Sequence, residues 1–459
     1  MIGCPGDERI TPALWGMAAI LTLGGFLSMF TSTVVNVALG TIAAEFHAPL
    51  GTAQWIATGY LLALAAMVPV SGWASRRFGA TKLWLGCVGL FALFSALCAT
   101  ATSIEALIVF RVLQGAAGGL LVPAGQILFA VAAGPKRLGR MMTVLSIPIY
   151  LAPVLGTLSG SLLTEGLGVS ALFLVNVPIS VLSLLLGRKW LPRESPEAAR
   201  SLDLRGLLLT VSGLPLLVYG AAELAPVPAI AGAILLAVFA VTAPRSRAPL
   251  LDLRLFRDGA FAAAAAVIFC MGIALFGAMI VLPLYYLDVR HESLVATGLL
   301  TAPLALGTVV ALPLAGRLTD RIGGARVIFA GLIVTIAGTV PLALLTGSDG
   351  YGWLSAVQIV RGCGIGLTTT PALAAGLILV ARERISHAMP IFAMLQRIGA
   401  SFGTSILTAV VSARLAAAPG SAEAIADTHW WIVGVTAIVL IPSWILARAE
   451  SRHRVSKMD

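Results

Sequence analysis

Charge in this chain is confined to short clusters, and what lies between them is apolar. From Arg9 to Arg448 fourteen long apolar stretches alternate with the clusters. Eleven of them, at 10–44, 46–75, 83–104, 141–164, 166–187, 206–222, 224–244, 259–287, 293–316, 327–348 and 428–447, hold no Asp, Glu, Lys or Arg. The other three, 106–135, 350–381 and 385–413, each hold one interior arginine: Arg111, Arg361 and Arg397. A bilayer core is crossed by about 20 apolar residues in a helix, and helices satisfy their own backbone polar groups in lipid. The pattern therefore predicts an all-α polytopic membrane protein with fourteen transmembrane helices.

A net charge of +10 and a charged fraction of only 11% could suggest an anionic partner, so the placement of the charge matters. Numbering loops from a cytoplasmic N-terminus, 25 of the 30 basic residues fall on one side. They form clusters such as Arg76, Arg77 and Lys82; Lys136, Arg137 and Arg140; Arg188 to Arg205; Arg245 to Arg257; and Arg317 to Arg326. Arg290 and Arg414 fall opposite. The positive-inside rule then puts both termini in the cytoplasm of a cell-membrane protein, and a nucleic-acid surface is not indicated. The first apolar segment is too long for a cleavable signal peptide.

The five cysteines and five histidines show no paired or ligand-like spacing, so neither a metal nor a cofactor is expected. No phosphate-binding loop of the G-x-x-x-x-G-K-[ST] form occurs, and nothing groups a nucleophile with a base. An enzyme and an ATP-driven pump are both disfavoured. The remaining expected partners are the bilayer, a small organic substrate and protons, with the chain acting as a monomer.

Internal order adds specificity. Gly72-Trp-Ala-Ser-Arg76-Arg77-Phe-Gly79 is echoed by Gly316-Arg-Leu-Thr-Asp320-Arg321-Ile-Gly323 at an offset of 244. Arg111-Val-Leu-Gln114-Gly115 is echoed by Gln358-Ile-Val-Arg361-Gly362, and Gly156-Thr157 by Gly403-Thr404, both at an offset of 247. Matches in order at nearly one offset predict two six-helix repeats around an inserted pair, a 6+2+6 arrangement. The expected divisions are a first bundle at 1–187, linkers and two inserted helices at 188–258, a second bundle at 259–447 and a tail at 448–459. Repeats of this kind place a substrate site near the membrane midplane, between the halves.

At these motifs the chain resembles the major facilitator superfamily, and more closely its fourteen-helix drug:proton antiporter branch. Ser32-Thr33-Val34-Val35-Asn36-Val37-Ala38-Leu39 is similar to that branch's first-helix signature. The loop motifs at 72–79 and 316–323, Arg111 with Gln114 and Gly115, and Ala152-Pro153-Val154-Leu155-Gly156 are similar to further family motifs. Phe173-Leu-Val-Asn176-Val-Pro178 and Pro249-Leu-Leu-Asp252-Leu-Arg-Leu-Phe256 are landmarks of the branch. The resemblance implies multidrug or secondary-metabolite efflux driven by protons. It also implies a conformational switch at Gly72, Arg76, Arg77, Gly79, Pro153, Gly156, Gly316, Asp320, Arg321 and Gly323.

Several positions depart from the family pattern. Thr31 stands where an aspartate is expected and Gly40 where a proline is. Arg76 occupies the acidic position of the first loop motif, while Asp320 keeps it in the second. The exporter motif lacks glycines at Ile147, Ala152 and Thr157. No carboxylate falls at mid-depth, where burial would suit one to carry a proton. Glu105, Glu223, Asp288 and Glu292 lie near outer ends.

Each interior arginine needs a partner or a wet cavity. Two readings stand: the arginines cap backbone carbonyls or glutamines, or they face a substrate cavity. On the second reading Arg361 and Arg397 favour a neutral or anionic substrate. The candidate cavity residues are Thr31, Thr33, Asn36, Tyr60, Arg111, Gln114, Tyr150, Tyr285, Gln358, Arg361, Gln396 and Arg397. An organic-anion uniporter or exchanger, or a non-transporting sensor or degenerate paralogue on the same scaffold, are the alternative functions.

Overall fold

The computed structural model describes residues 11–134, 137–192, 202–246, 248–378, 380–417 and 421–455. Cys4, Arg9, Lys136, Arg193, Pro196, Arg200, Arg247 and Lys457 lie outside the described residues, as do the side chains of Pro153, Thr157, Arg382, Arg452 and Arg454. Among the described residues the regular structure is helical and no strand occurs.

The helices are α1 (Pro12–Glu45), α2 (Leu50–Met67), α3 (Val70–Phe78), α4 (Ala80–Ala99), α5 (Ile104–Ala133) and α6 (Leu138–Leu167). They continue as α7 (Val169–Leu174), α8 (Asn176–Trp190), α9 (Leu204–Ala222), α10 (Pro226–Thr242), α11 (Gly259–Leu284) and α12 (Leu294–Ile322). The last five are α13 (Gly324–Thr339), α14 (Tyr351–Ile378), α15 (Ile385–Ala417), α16 (Ala422–Ile438) and α17 (Leu440–Val455). Among the described residues 13 helical segments are long and apolar enough to cross a membrane. α14 is 28 residues long but falls outside that set; Gln358, Arg361 and the Thr368-Thr369-Thr370 run lower its hydropathy.

Some stretches are interrupted. The span expected over 46–75 divides into α2 and α3 at Val68–Pro69, where proline withholds a backbone donor. The final span begins at Ala422, ahead of 428, and is broken at Val439 between α16 and α17. Gly79 and Gly323 end the two loop motifs at φ 84° and φ 100°, a left-handed region that glycine enters without a Cβ penalty. The same turn therefore closes both motifs.

α1 packs along α6, and α2 and α4 along α5; α11 packs along α15, and α12 and α13 along α14. The close approaches repeat at the sequence offsets. A Cβ on Gly115 would lie 2.3 Å from the Tyr60 carbonyl oxygen, and one on Gly362 would lie 2.1 Å from that of Leu304. Gly119 meets the Leu64 carbonyl in the same way, and Gly366 that of Thr308. Small residues here let backbones touch, which is how helices associate in lipid without a hydrophobic driving force.

α9 and α10 pack on each other at the periphery. α9 touches both halves: Tyr219 stacks on Trp55 of α2 at 5.9 Å, and Ser401 Oγ of α15 donates to the Val218 carbonyl at 3.0 Å.

Candidate functional site

The halves meet at the end that carries the basic loops. Asp320, near the end of α12, accepts hydrogen bonds from the backbone N–H groups of Gly139 (3.0 Å) and Arg140 (3.4 Å) in the first turn of α6. Arg140 Nε completes the contact at 2.8 Å. Gly316 packs on Thr143 and Arg140, and Arg76 Nη1 donates to Ser386 Oγ at the start of α15 at 3.2 Å. Gly72 lies so close to the Ser386 carbonyl that a Cβ would sit 2.2 Å from it. Thus Gly72, Arg76, Gly316 and Asp320 of the proposed switch lie where the halves touch. Arg77 and Arg321 are exposed, and Gly156 packs against Thr33 of α1.

Beyond that contact two cavities open between the halves. The first, about 120 Å³, is lined from one half by Gln126, Ser146 and Tyr150 and from the other by Met271, Thr370, Phe392 and Gln396, among others. Thr370 Oγ1 donates to Ser146 Oγ across it at 3.3 Å. The second, about 180 Å³, is bounded by α6, α11, α12 and α14. Its walls include Tyr150, Met279, Pro283, Thr301, Gln358 and Arg361. Tyr150 lines both. At ~1.5 Å per residue Tyr150 stands roughly 18 Å into α6, and Arg361 roughly 15 Å into α14 from its other end. Both are near mid-depth.

Of the residues read as cavity candidates, the structure brings Tyr150, Gln358, Arg361 and Gln396 to these spaces. The others are placed elsewhere. Thr31 is buried and donates to Asn176 Oδ1 at 2.7 Å, so the position expected to hold an aspartate is bound into the α1–α8 contact. Thr33 Oγ1 donates to the Met29 carbonyl within its own helix, and Asn36 is exposed. Tyr60 is fully buried beneath the Arg111 guanidinium, 4.1 Å from the ring centroid, with Ser28 at its hydroxyl.

Arg111 Nε donates to the Ile56 carbonyl at 3.1 Å and Nη1 to Gln114 Oε1 at 2.6 Å. Gln114 Nε2 donates to Ser95 Oγ at 2.5 Å. The capping reading therefore describes Arg111 and Gln114. Tyr285 is fully buried in an aromatic group with Tyr286 at the end of the fold that holds Arg290. Arg397 is half-buried on α15 and is not among the residues that line either cavity. Thr301, Thr308, Thr369 and Thr370 were missed as lining residues; threonines inside otherwise apolar helices are the signal that would have found them.

The comparisons with known proteins agree with this architecture. The family model for the Major Facilitator Superfamily matches residues 21–404. A multidrug resistance protein B homolog of Mycobacterium tuberculosis is 34% identical over 418 residues, covering 88% of this chain and 77% of that protein. A tetracenomycin C resistance and export protein of Streptomyces glaucescens is 28% identical over 415 residues, covering 87% of this chain and 76% of that one. The multidrug export protein EmrB of Escherichia coli strain K12 is 27% identical over 407 residues, covering 85% and 79%.

Among solved structures, the human organic anion transporter MFSD10 (TETRAN) superposes with a TM-score of 0.69 at 15% identity, covering 95% of this chain and 100% of that one. The proton:xylose symporter XylE gives 0.68 at 13%, covering 94% and 95%. These two bear on the fold alone. Motifs, multiple apolar helices, paired halves and a family match over most of the length converge: the chain is a multi-pass membrane protein belonging to the Major Facilitator Superfamily.

Proposed function

We propose that the chain is a secondary transporter of the fourteen-helix drug:proton antiporter branch. It exports small amphipathic organic compounds across the cell membrane by alternating access. Helices α1–α8 and α11–α17 form the two six-span bundles, with α9 and α10 inserted and α14 supplying the remaining span. The observation that carries this reading is the pair of cavities lined from both halves, beyond the contacts that Asp320 and Arg76 make at the basic-loop end. A site between two halves whose contact at one face can open and close is what alternating access requires. The multidrug and tetracenomycin export relatives support the direction and the substrate type. Proton coupling follows from the branch and is part of the proposal, although Thr31 stands in the acidic position of the first helix.

Accumulation of a panel of dyes and antibiotics in cells with and without the protein, each with and without an uncoupler, tests it. Lower accumulation that the uncoupler reverses is expected. Equal accumulation across the panel would favour a non-transporting relative, and export insensitive to the uncoupler would remove the proton from the mechanism.

A further inference from the structure

The matched motifs Arg111…Gln114 and Gln358…Arg361 carry the same two residue types in opposite order. The structural task follows position and not residue type. Arg111 Nε donates to the Ile56 carbonyl of α2. Gln358, which holds the corresponding place, donates through Nε2 to the Leu300 carbonyl of α12 at 2.9 Å, and Leu300 is related to Ile56 by 244, the offset of the two loop motifs. Gln358 Nε2 also reaches the Tyr286 hydroxyl at 3.2 Å. The glutamine has thus taken over the arginine's anchoring bond.

Arg361 is left without that duty. It is 1% exposed, yet it makes no hydrogen bond or ion pair with any described residue, and its Nε is buried without an acceptor. Arg111, by contrast, leaves only Nη2 unsatisfied. Two further buried atoms nearby lack partners. Gln358 Oε1 has no donor. His429, fully buried within electrostatic reach of Arg361, has Nδ1 3.0 Å from the Ile425 carbonyl and an unpartnered Nε2. A carbonyl only accepts, so Nδ1 carries the hydrogen.

The cavity beside Arg361 is walled by Leu275, Met279, Leu282, Pro283 and Ile365, with Tyr150 contributed from the other half; among the described residues no Asp or Glu lines it. A buried guanidinium in apolar surroundings is stabilised by a group that brings both counter-charge and acceptors. Its planar fork matches a carboxylate. Gln358 adds a second condition. Its amide nitrogen is committed to Leu300 and Tyr286, so its free oxygen can only accept.

We propose that this cavity recognises an amphipathic organic acid whose anionic group lies on Arg361 and whose neighbouring hydroxyl donates to Gln358 Oε1. This names a substrate class for the exporter reading and rests on it. A permanent cation is disfavoured at the site, and an acid lacking the hydroxyl is held by one contact fewer.

Calorimetric titration of the purified protein in nanodiscs tests the proposal with three probes: 4-hydroxy-2-naphthoate, whose hydroxyl is too far from its carboxylate to bond it, 2-naphthoate and neutral 1-naphthol. The expected order is 4-hydroxy-2-naphthoate tightest, then 2-naphthoate, then 1-naphthol, with about a tenfold loss for removing the carboxylate. That order in the unmodified protein needs no variant. Arg361→Gln is expected to bring 4-hydroxy-2-naphthoate down to the affinity of 1-naphthol, while Arg361→Lys keeps part of the preference; an unchanged gel-filtration profile shows that each variant is folded. Equal binding of acid and neutral probe, or an Arg361→Gln protein that holds the acid as tightly as before, overturns the inference. Export of neutral compounds by cells would in that case leave the exporter reading standing. Acid bound through Arg361 with no compound exported would do the reverse.

Discussion

Asp320 caps a helix that belongs to the other half of the molecule: its carboxylate receives the Gly139 and Arg140 backbone N–H groups of α6, and Arg140 Nε closes on it at 2.8 Å. The first N–H groups of any helix lack partners within the helix and carry the positive end of its dipole. A carboxylate delivered across the seam satisfies both needs at once. At the matching place in the other half, Arg76 is brought to the start of α15 instead, and a cation there meets a helix end of its own sign.

Asp320→Asn is accordingly expected to impair transport more than Arg76→Ala. Loss of a charged cap is worth about 1–2 kcal/mol, a factor of roughly 5–30 in the balance between the two conformations. Initial rates of dye efflux from cells expressing each variant at equal levels decide the ranking. A larger loss for Arg76→Ala would show that the first loop still controls closure.

Glu450 performs the same task within one half, receiving Gly324 N–H and Ala325 N–H at 3.0 Å each at the start of α13. Glu450→Ala should lower the thermal unfolding temperature of the purified protein, at a cost of about 1 kcal/mol. Unchanged unfolding would show that the contact contributes nothing to stability.

Gly362→Ala should destabilise the protein by about 1–3 kcal/mol, because the added methyl would sit 2.1 Å from the Leu304 carbonyl and the backbones must part to admit it. Gly86 has nothing within 4 Å of its Cβ position, so Gly86→Ala serves as the control. Fluorescence-detected gel filtration after heating compares the two, and equal survival would contradict the packing shown for α12 and α14.

Orientation is open to reporter fusions. Fusions after Lys82, Arg140, Arg254 and Arg384 should report the cytoplasm, and one near Asp349 the outside. A cytoplasmic signal at Asp349 would overturn the fourteen-span arrangement and with it the assignment of α14 as a span.

Much of the architecture was legible because hydropathy is a property of single segments. Apolar runs of membrane-crossing length marked the long helices of the described residues, and the basic loops marked the end where the halves touch. The site was legible only in outline. Arg111 and Arg361 look alike in sequence, each an arginine three residues from a glutamine in an apolar helix. Which of them is tied down depends on a carbonyl presented by a different helix, Ile56 in one case and Leu300 in the other, and the reversed order of the pair acquires meaning only once those carbonyls are located. Thr31 teaches the converse: its family position suggested chemistry, while Asn176 holds it in a structural bond.

The carbonyl-to-glycine approaches at Gly115, Gly119, Gly362 and Gly366 also bear on motion. Where two backbones are already in contact, a helix cannot tilt towards its neighbour without collision, and tilting away forfeits dispersion along the whole seam. The α2–α5 and α12–α14 pairs are therefore stiff struts. Whatever movement carries a solute across must be taken up at the seam between bundles, where the polar contacts of Asp320 and Arg76 and the close packing at Gly72 and Gly316 have to part together.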